Sequence, residues 1–465
     1  MSNSLAISVF LLAFFASITF NGFFRNIAKN NKILIDIPDK SRKFHFRATP
    51  LTGGIGIFFS ILITGLLLTG LTDARYSTNF NDGFLENTVL NDGTISKNFE
   101  VDNEDYNLSL IEDNDTGSLS VRINPIKGNS LKNNAIVDIF PITENKFKVM
   151  LPDGKEKFYI SEEGKIYEIS NDDDSIIQTF APENTDKDRI KLDNFTISLY
   201  LCALFIMIFM VFDDFFGIKA SIRLIFQSMI VLLMILMTDE KISIVGNLFG
   251  FGDIDLGIFS VAFTVFCVVG LMNAFNMIDG LNGICASMAL VPISFVAFFG
   301  NFSYGLLIPI GAVIGFLAYN LGYLGKKRRV FLGDSGSNML GFAVAFICIE
   351  YSQDVNHTSY INPTTALWLV AIPLLDCIVV LISRILKGIM PFRPGRDHLH
   401  HRLLNMGLSP KKILLFFILL SILLALIGYY FEQNFHDKEY ISFYSFALLS
   451  AFYYLISKTK LKKNV

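Results

Sequence analysis

Runs of apolar residues long enough to cross a membrane recur along most of the chain. A transmembrane helix needs about 20 mostly apolar residues, because it must traverse about 30 Å of hydrocarbon. Hydropathy predicts eleven such spans, at residues 4–24, 51–71, 195–212, 221–238, 256–275, 283–300, 304–324, 337–350, 364–383, 412–430 and 440–457. One such run could be a buried core helix, but eleven require a bilayer. We therefore expect an all-α polytopic membrane protein, a class that the 52% of hydrophobic residues also fits.

A long polar insertion separates the second predicted span from the third. Residues 73–193 hold 25 acidic and 13 basic residues, a net charge of −12. Short β-favouring runs alternate there with turn signals such as Pro152-Asp153-Gly154, which predicts a β-rich meander or sandwich. The chain then divides into residues 1–72 with two transmembrane helices, the insertion 73–193, and residues 194–465 with nine helices and most of the connecting polar loops.

The distribution of basic residues assigns an orientation to the spans. Outside the insertion the chain has 26 Lys and Arg residues, and 24 of them lie in one alternating set of loops. Because cytoplasmic loops carry an excess of Lys and Arg, this set is expected to face the cytoplasm. An odd number of spans then places the N-terminus and the acidic insertion on the extracytoplasmic side, and the C-terminus in the cytoplasm.

The third span ends in two adjacent carboxylates, Asp213 and Asp214. They lie at the negative end of the helix dipole, where an anion is disfavoured. A structural role rarely explains such a pair, whereas cation binding or proton transfer does. Arg223 follows ten residues after Asp213, at the start of the next span.

Amide and carboxyl side chains recur at helical spacing where the fifth span ends. Asn273, Asn276 and Asp279 lie three residues apart, so they share one face of a helix end. Gly280 and Gly283 permit a tight turn directly after them. The oxygen atoms of this face suit Mg²⁺ or a phosphate-bearing ligand, and a simple capping and turn cluster is the alternative.

A glycine-rich turn, Gly333-Asp334-Ser335-Gly336-Ser337, precedes the eighth span. It resembles a helix N-terminus, whose free N–H groups can meet a phosphate. Asp334 is then available to hold a divalent cation. Taken alone, this motif has little specificity.

Half of the six histidines fall within four residues of one predicted cytoplasmic loop, as His398, His400 and His401. A His-x-His-His pattern can bind Zn²⁺, but no Cys lies nearby to complete a tetrahedral site. Arg396 and Arg402 flank the cluster, which therefore suits an anionic ligand better. Surface histidines without a function are the alternative.

Asp376 is the one acid deep inside a predicted span, three residues after Pro373. Ionisable residues at membrane depth are usually functional or paired. A catalytic role and a role as a structural partner therefore both stay open.

The first cytoplasmic loop contains Arg42, Lys43 and His45, and Gly53-Gly54 follows at the entrance to the second span. Basic residues at a cytoplasmic interface often serve only to fix the topology. The paired glycines let the backbone approach a ligand or another helix closely. Substrate binding by Arg42, Lys43 and His45 is therefore expected beside a role in topology.

Together and in this order, these motifs resemble the polyprenyl-phosphate N-acetylhexosamine-1-phosphate transferase family. The resemblance is carried by the loop with Arg42, Lys43 and His45, by Asp213-Asp214, by Asn276 and Asp279, by Phe331-Leu332-Gly333-Asp334-Ser335-Gly336-Ser337, by Asp376 after Pro373, and by Arg396-Asp397-His398-Leu399-His400-His401. It covers about three-quarters of the chain, all but the insertion. The His-Leu-His-His form is similar to the UDP-GlcNAc:undecaprenyl-phosphate GlcNAc-1-phosphate transferase branch, rather than to phospho-N-acetylmuramoyl-pentapeptide transferase.

The resemblance implies eleven helices in the bacterial cytoplasmic (inner) membrane and a reaction at their cytoplasmic face. An undecaprenyl or other polyprenyl phosphate attacks the sugar-linked phosphorus of a UDP-HexNAc, with UDP-GlcNAc as the expected donor. UMP leaves, and the lipid-diphospho-sugar begins a cell-surface glycan. Mg²⁺ is the implied cofactor, with Mn²⁺ as a substitute. Direct attack and a covalent intermediate both stay open.

The resemblance also implies roles for single residues. Asp213, Asp214, Asp279 and Asp334 are the implied catalytic residues. Asp334 and Asp279 hold the metal, and Asp213 acts as a base or joins the metal ligands. Substrate binding is implied for the remaining candidates: Asn276, Arg223, Arg396, His398, His400, His401, Arg42, Lys43 and His45.

Two features depart from the family pattern. Asn282 stands where many relatives carry Asp, and the insertion 73–193 has no counterpart, so its partner stays open. The other expected partners are the UDP-sugar, the polyprenyl phosphate and membrane lipid; a homodimer is left open, and no nucleic acid is expected.

Two other classes of function are the alternatives. One is a cation-coupled transporter, which also buries acids but places them near the midplane, often in repeats. The other is a catalytically inactive homologue that serves as a scaffold. Nearly all polar clusters here lie at one face, and every major motif except the Asp at 282 is present, so both are disfavoured.

Overall fold

The computed structural model describes residues 3–36, 48–78, 194–299, 304–353, 361–388, 390, 395, 397–435 and 438–458, and the strands between residues 88 and 180. The chain has two compact units. One combines Met1–Leu68 with Ile190–Val465, and the other is Thr69–Arg189. The described residues of the first unit are mostly helical, and those of the second lie mostly in strands.

Thirteen α-helices lie in the described residues. They are α1 Asn3–Asn31, α2 Gly53–Thr78, α3 Asn194–Phe216, α4 Ala220–Thr238, α5 Ser260–Ile278, α6 Ile284–Phe299, α7 Tyr304–Asn320, α8 Gly333–Ser352, α9 Pro363–Leu369, α10 Ala371–Leu386, α11 Leu399–Asn405, α12 Pro410–Asn434 and α13 Glu439–Lys458. Two short antiparallel strands, β1 Ile35–Asp36 and β2 Thr49–Pro50, precede α2.

Each of the eleven predicted spans overlaps at least one of these helices. By length and composition, six helices among the described residues can cross a membrane, or seven if α9 and α10 form one bent span. Helices α2, α6 and α7 contain shorter apolar stretches. The protein is therefore a helical polytopic membrane protein, and the number of eleven spans stays a prediction.

One predicted span, 364–383, is a broken helix. Helices α9 and α10 meet at Val370 with a bend of 81°. Pro373 explains the break, because it has no N–H for the carbonyl group of Leu369 and its ring clashes with that group. Pro373 is tolerated in the first turn of α10, because the N–H that it lacks would have no partner within that helix. The bend leaves Asp376 near the start of α10.

Helix α8 is the central helix of the first unit. It contacts α3, α5 and α6, and 16 of its 20 residues are buried. A helix that is buried on nearly all sides belongs to the interior of a bundle. Gly341 shows how close the packing is, because a Cβ there would lie 2.8 Å from the Cα of Met272 on α5. The first turn of α8, which carries Asp334, is therefore held in place by several helices.

The second unit contains nine strands in one antiparallel sheet. They are β3 Thr88–Val89, β4 Ile95–Val101, β5 Glu104–Glu112, β6 Leu119–Pro125, β7 Ala135–Thr143, β8 Lys146–Met150, β9 Glu156–Glu162, β10 Lys165–Ile169 and β11 Ile176–Phe180. Their order in the sheet follows their order in the chain. Strands that are neighbours in the sheet are thus consecutive in the sequence, as in a meander. The predicted turn Pro152-Asp153-Gly154 falls between β8 and β9, outside the described residues.

Candidate active site

Three chain segments bring acidic side chains to the N-terminal end of α8. Asp213 and Asp214 lie in the last turn of α3, Asp334 in the first turn of α8, and Asp279 directly after α5. Arg223 on α4 joins two of them. Its Nη1 atom lies 3.1 Å from Oδ2 of Asp213 and 3.5 Å from Oδ2 of Asp334. The structure thus brings the predicted catalytic acids and Arg223 into one cluster, which we call the carboxylate cluster.

Asp213 is the buried anchor of this cluster. The backbone N–H of Ile218 donates to its Oδ1 at 2.7 Å, and its carbonyl group accepts from Gly217 at 2.8 Å. Gly217 has a φ of +64°, which favours glycine. The Asp213 side chain is 5% exposed, whereas that of Arg223 is 33% exposed. Asp213 therefore holds the turn between α3 and α4 and keeps the guanidinium group facing the cluster.

Asp214 has one carboxylate oxygen that lacks a partner. The backbone N–H of Asp334 donates to this carboxylate, and the positive end of α8 favours an anion there. Its Oδ2 atom is buried and has no hydrogen-bond partner among the described residues. Leaving a buried polar atom without a partner costs about 1–3 kcal/mol. A cation or a proton at this oxygen would remove that cost.

Asn276 and Asp279 complete the cluster from α5. The Asn276 side chain hydrogen-bonds to the Asp334 carboxylate, and its Nδ2 donates to Oγ of Ser337 at 3.0 Å. Burial, followed by the negative charge of Asp334, raises the pKa of Asp279 to about 7. Asp279 therefore lies close enough to Asp334 for each charge to disfavour the other. A bound cation would reverse that effect.

The cluster fits a divalent cation that substrate helps to hold. Within the described parts of the chain, no three His, Cys, Asp or Glu side chains form a metal cage by themselves. Mg²⁺ does not need such a cage, because it usually keeps several waters and binds through one or two carboxylates and the phosphates of a substrate. The oxygen donors of Asp214, Asp279 and Asp334, with Oδ2 of Asp214 unpartnered, suit this ion.

His400 packs directly on the chain segment that follows Asp279. A Cβ at Gly280 would clash with Nε2 of His400, so glycine makes room for the ring. Both ring nitrogens are buried and have no hydrogen-bond partner among the described residues. Burial, followed by the charge of neighbouring His401, lowers the pKa of His400 to about 3. At neutral pH the ring is therefore uncharged and offers one donor and one acceptor to a ligand.

Asp376 fixes the start of α11 and the ring of His398. Nδ1 of His398 donates to its Oδ2 at 2.8 Å. Its Oδ1 accepts from the backbone N–H of Leu399 at 2.9 Å and from the hydroxyl group of Tyr453 at 2.7 Å. Of the two roles that the sequence leaves open for Asp376, the contacts favour a partner that acts through His398. Sequence analysis did not identify Tyr453, which lies 77 residues away.

The three histidines form one cluster, here called the histidine loop. The rings of His398 and His400 are parallel within 7°, and their centroids are 5.9 Å apart. The ring centroids of His400 and His401 are 4.1 Å apart. The contact of His400 with Gly280 joins this loop to the carboxylate cluster. The other predicted substrate-binding residues lie outside the described residues: Arg396, Arg42, Lys43 and His45.

A chain of amide side chains supports the first turn of α8, and of its members only Asn273 was predicted as part of the site. Nδ2 of Asn273 donates to Gln227 at 2.9 Å, and Nε2 of Gln227 donates to Asn338 at 2.6 Å. Nδ2 of Asn338 then donates to the carbonyl group of Asp334 at 2.8 Å. Asn273 therefore points to Gln227 rather than to the acids, and the sequence signal for Gln227 is a polar residue inside an apolar span, because such residues usually have a partner.

Backbone pairing fixes the turn before Asp334 to the start of α2. Phe331 donates to Pro50 at 2.8 Å, Gly53 donates to Phe331 at 2.9 Å, and Gly54 donates to Leu332 at 3.0 Å. A Cβ at Gly54 would lie 2.5 Å from the backbone of residue 336. The paired glycines thus admit the close approach of a second segment, which is one of the two explanations proposed for them.

The amino-acid sequence is similar to a known protein family and to several bacterial transferases. A family model described as glycosyl transferase family 4 matches residues 196–352, the part of the chain that holds the carboxylate cluster. The undecaprenyl-phosphate alpha-N-acetylglucosaminyl 1-phosphate transferase of Escherichia coli (strain K12) is 34% identical over 264 residues, which are 55% of this chain and 71% of the relative. Proteins of the same name from Yersinia pestis and Haemophilus influenzae are 33% and 32% identical, and the match covers 55% of this chain and 71% and 73% of theirs.

Proposed function

The chain belongs to the family of the undecaprenyl-phosphate N-acetylglucosaminyl 1-phosphate transferases, within glycosyl transferase family 4, and we propose that it catalyses the same class of reaction. A HexNAc 1-phosphate, with GlcNAc 1-phosphate as the first choice, passes from a UDP-sugar to undecaprenyl or another polyprenyl phosphate. UMP is released, and the product begins a cell-surface glycan. The family resemblance inferred from the motifs is confirmed by these relatives. Their names favour an enzyme over the transporter and scaffold alternatives.

The convergence of Asp213 and Asp334 on Arg223 carries this proposal. Phosphoryl transfer depends mainly on positioning and on positive charge that stabilises the phosphate oxygens. Arg223 supplies fixed positive charge, and the surrounding acids supply oxygen ligands for a cation. Such a site is of little use in a scaffold, because crowded buried carboxylates destabilise the fold.

Divalent metal dependence is part of the proposal, with Mg²⁺ as the ion and Asp334, Asp279 and Asp214 as its ligands. When bound, it supplies positive charge beside the diphosphate of the donor. An oxygen of the lipid phosphate attacks the sugar-linked phosphorus, and the bond to UMP breaks. The lipid phosphate is already largely ionised at neutral pH, with a second pKa of about 6, so a strong base is not required. The resemblance implies Asp213 as a base or metal ligand; because it is paired with Arg223, we assign it instead to holding the Arg223 guanidinium group in place.

The histidine loop contributes contacts to the donor substrate. Uncharged His400 offers hydrogen bonds next to Gly280, and Asp376 orients the ring of His398. We assign these rings to the diphosphate or the sugar of the UDP-HexNAc.

The decisive experiment measures UMP release by purified protein with Mg²⁺, undecaprenyl phosphate and a panel of UDP-HexNAcs. We expect release with at least one donor and loss of release in Asp334→Ala. Asp239→Ala is the matched control, because Asp239 is 88% exposed and pairs with Lys241 beyond α4. No release with any donor, or undiminished release in Asp334→Ala, would refute the mechanism.

The proposal also places the protein in the inner membrane, with its active-site loops in the cytoplasm and residues 73–193 outside. Cysteine labelling with an impermeant maleimide on intact cells tests this topology. The five native cysteines lie in apolar helices, and four of them are buried. We expect Asp239→Cys to react on intact cells and Arg328→Cys to react only after permeabilisation. The reverse pattern would contradict the topology.

A further inference from the structure

A basic pocket of about 250 Å³ lies at the C-terminal end of α1. Four of its six described lining residues are cationic, and none is acidic: Lys29, Ala48, Thr49, Lys326, Lys327 and Arg329. The acid on the adjoining strand is Asp36, which faces Thr49 across the β1–β2 pair. No residue that lines the pocket belongs to the proposed catalytic or substrate-binding machinery. A role in topology explains basic residues in these loops, but the proposed reaction assigns no role to the pocket that they line.

The backbone of the pocket is held in a fixed position. Nη2 of Arg25 and Nζ of Lys29 both donate to the carbonyl group of Lys327, at 3.0 and 3.2 Å. Nη2 of Arg329 donates to the carbonyl group of Leu321 at 3.3 Å. These bonds keep several like charges close together, and such a set of charges attracts an anion. The geometry therefore favours a negatively charged ligand.

The position of the pocket indicates where that ligand comes from. Helix α1 is a candidate membrane span that ends at Asn31, and Lys29 lies in its last turn. We therefore expect the pocket to open near the membrane interface. Ile33 and Tyr323 close to it in sequence are 40% and 82% exposed, as expected for residues that meet the edge of a bilayer. Basic pockets between transmembrane helices on the cytoplasmic side bind lipid head groups.

We propose that this pocket binds the phosphate head group of an anionic phospholipid from the inner leaflet. The lysines at residues 326 and 327 and Arg329 contact the phosphate, and Lys29 contributes from α1. A free phosphate ion shares this chemistry, but it has no acyl chains to enter the adjacent bilayer. The site is separate from the transferase reaction and does not depend on it.

The test compares phosphatidylglycerol with phosphatidylcholine of the same acyl chains, added to the full-length protein in detergent. Native mass spectrometry measures the lipid that each variant retains. Each lysine near an anionic lipid surface contributes about 1 kcal/mol, so Lys326→Gln with Lys327→Gln should weaken phosphatidylglycerol binding about 30-fold. Retention of phosphatidylcholine should not change. Lys326→Arg with Lys327→Arg should restore binding.

The matched control is Lys411→Gln with Lys412→Gln, an exposed lysine pair at the start of α12 on the same predicted face. We expect this pair to retain phosphatidylglycerol like the wild type. Equal losses in both glutamine pairs would overturn the proposal. So would displacement of phosphatidylglycerol by millimolar inorganic phosphate, which indicates a site for the free ion. Displacement by an equal amount of polyprenyl phosphate would assign the pocket to the acceptor instead.

Discussion

Replacing Gly280 with Ala tests whether the histidine loop must lie against the carboxylate cluster. A Cβ at residue 280 would lie 2.8 Å from both Cδ2 and Cε1 of His400, and closer still to Nε2. Ordinary contact begins at 3.4 Å, so the ring must move by on the order of 1 Å, a displacement that can cost about 10²-fold in rate at a catalytic site. His400 is 1% exposed and packs against His398 and His401. The ring therefore cannot swing into solvent, and we expect kcat to fall about 10²-fold.

The assay is UMP release from UDP-GlcNAc with saturating undecaprenyl phosphate. Gly270→Ala is the matched control, because Gly270 lies on α5 and its added Cβ would meet nothing within 4 Å. It should keep the wild-type rate. Gly280→Ala is also made in a His400→Ala background, where the clash is gone and little further loss is expected. A wild-type rate for Gly280→Ala, or the same 10²-fold loss in that background, would refute this reasoning.

Three other changes probe the parts around the cluster. Asp376→Asn keeps the shape of the side chain but removes the charge that orients His398. We expect kcat in the UMP assay to fall at least about tenfold. An unchanged kcat would contradict the positioning role of Asp376. The pKa of Asp279 lies near 7 rather than 3.8, so its neutral form stabilises the metal-free fold at low pH, and that stability is lost as the pH rises through 7. Mg²⁺ binds the ionised form, so it should raise the unfolding temperature more at pH 8 than at pH 6; equal effects would exclude this account. Gln227→Leu leaves Oδ1 of buried Asn338 without its donor, at a cost of about 1–3 kcal/mol. Thermal unfolding should show a loss that Met229→Leu, at an exposed position of the same helix, does not.

Apolar composition predicts most of the helical fold. The predicted span 283–300, for example, matches α6 Ile284–Phe299 within one residue at each end. This agreement arises because the thickness of the hydrocarbon and the length of apolar sequence determine the same helix. Hydropathy did not predict the bend at Val370, because the helices on both sides of it are apolar and a hydropathy window averages over them. Pro373 was the local signal for that bend.

The residues of the site could be predicted, but their partners could not. Asp213 and Asp334 were identified by residue type and spacing, whereas their shared contact with Arg223 depends on how three helices pack. The pairing of Asp376 with His398 crosses 22 residues of sequence. No local sequence pattern predicts which of several buried polar groups will contact each other. The amide chain through Gln227 was missed because a single polar residue in an apolar span names no partner.

The hydroxyl group of Tyr453 on α13 completes the set of bonds that holds Asp376 and His398. Trp368 on α9 likewise donates to Oγ of Ser442 at 3.0 Å on α13. Helix α13 lies after all the segments that carry the carboxylate cluster, so it is synthesised after them. A chain released early by premature termination would contain every carboxylate of the site and still lack a properly seated histidine loop. We therefore expect a chain truncated before α13 to lack transferase activity, although it holds the whole carboxylate cluster.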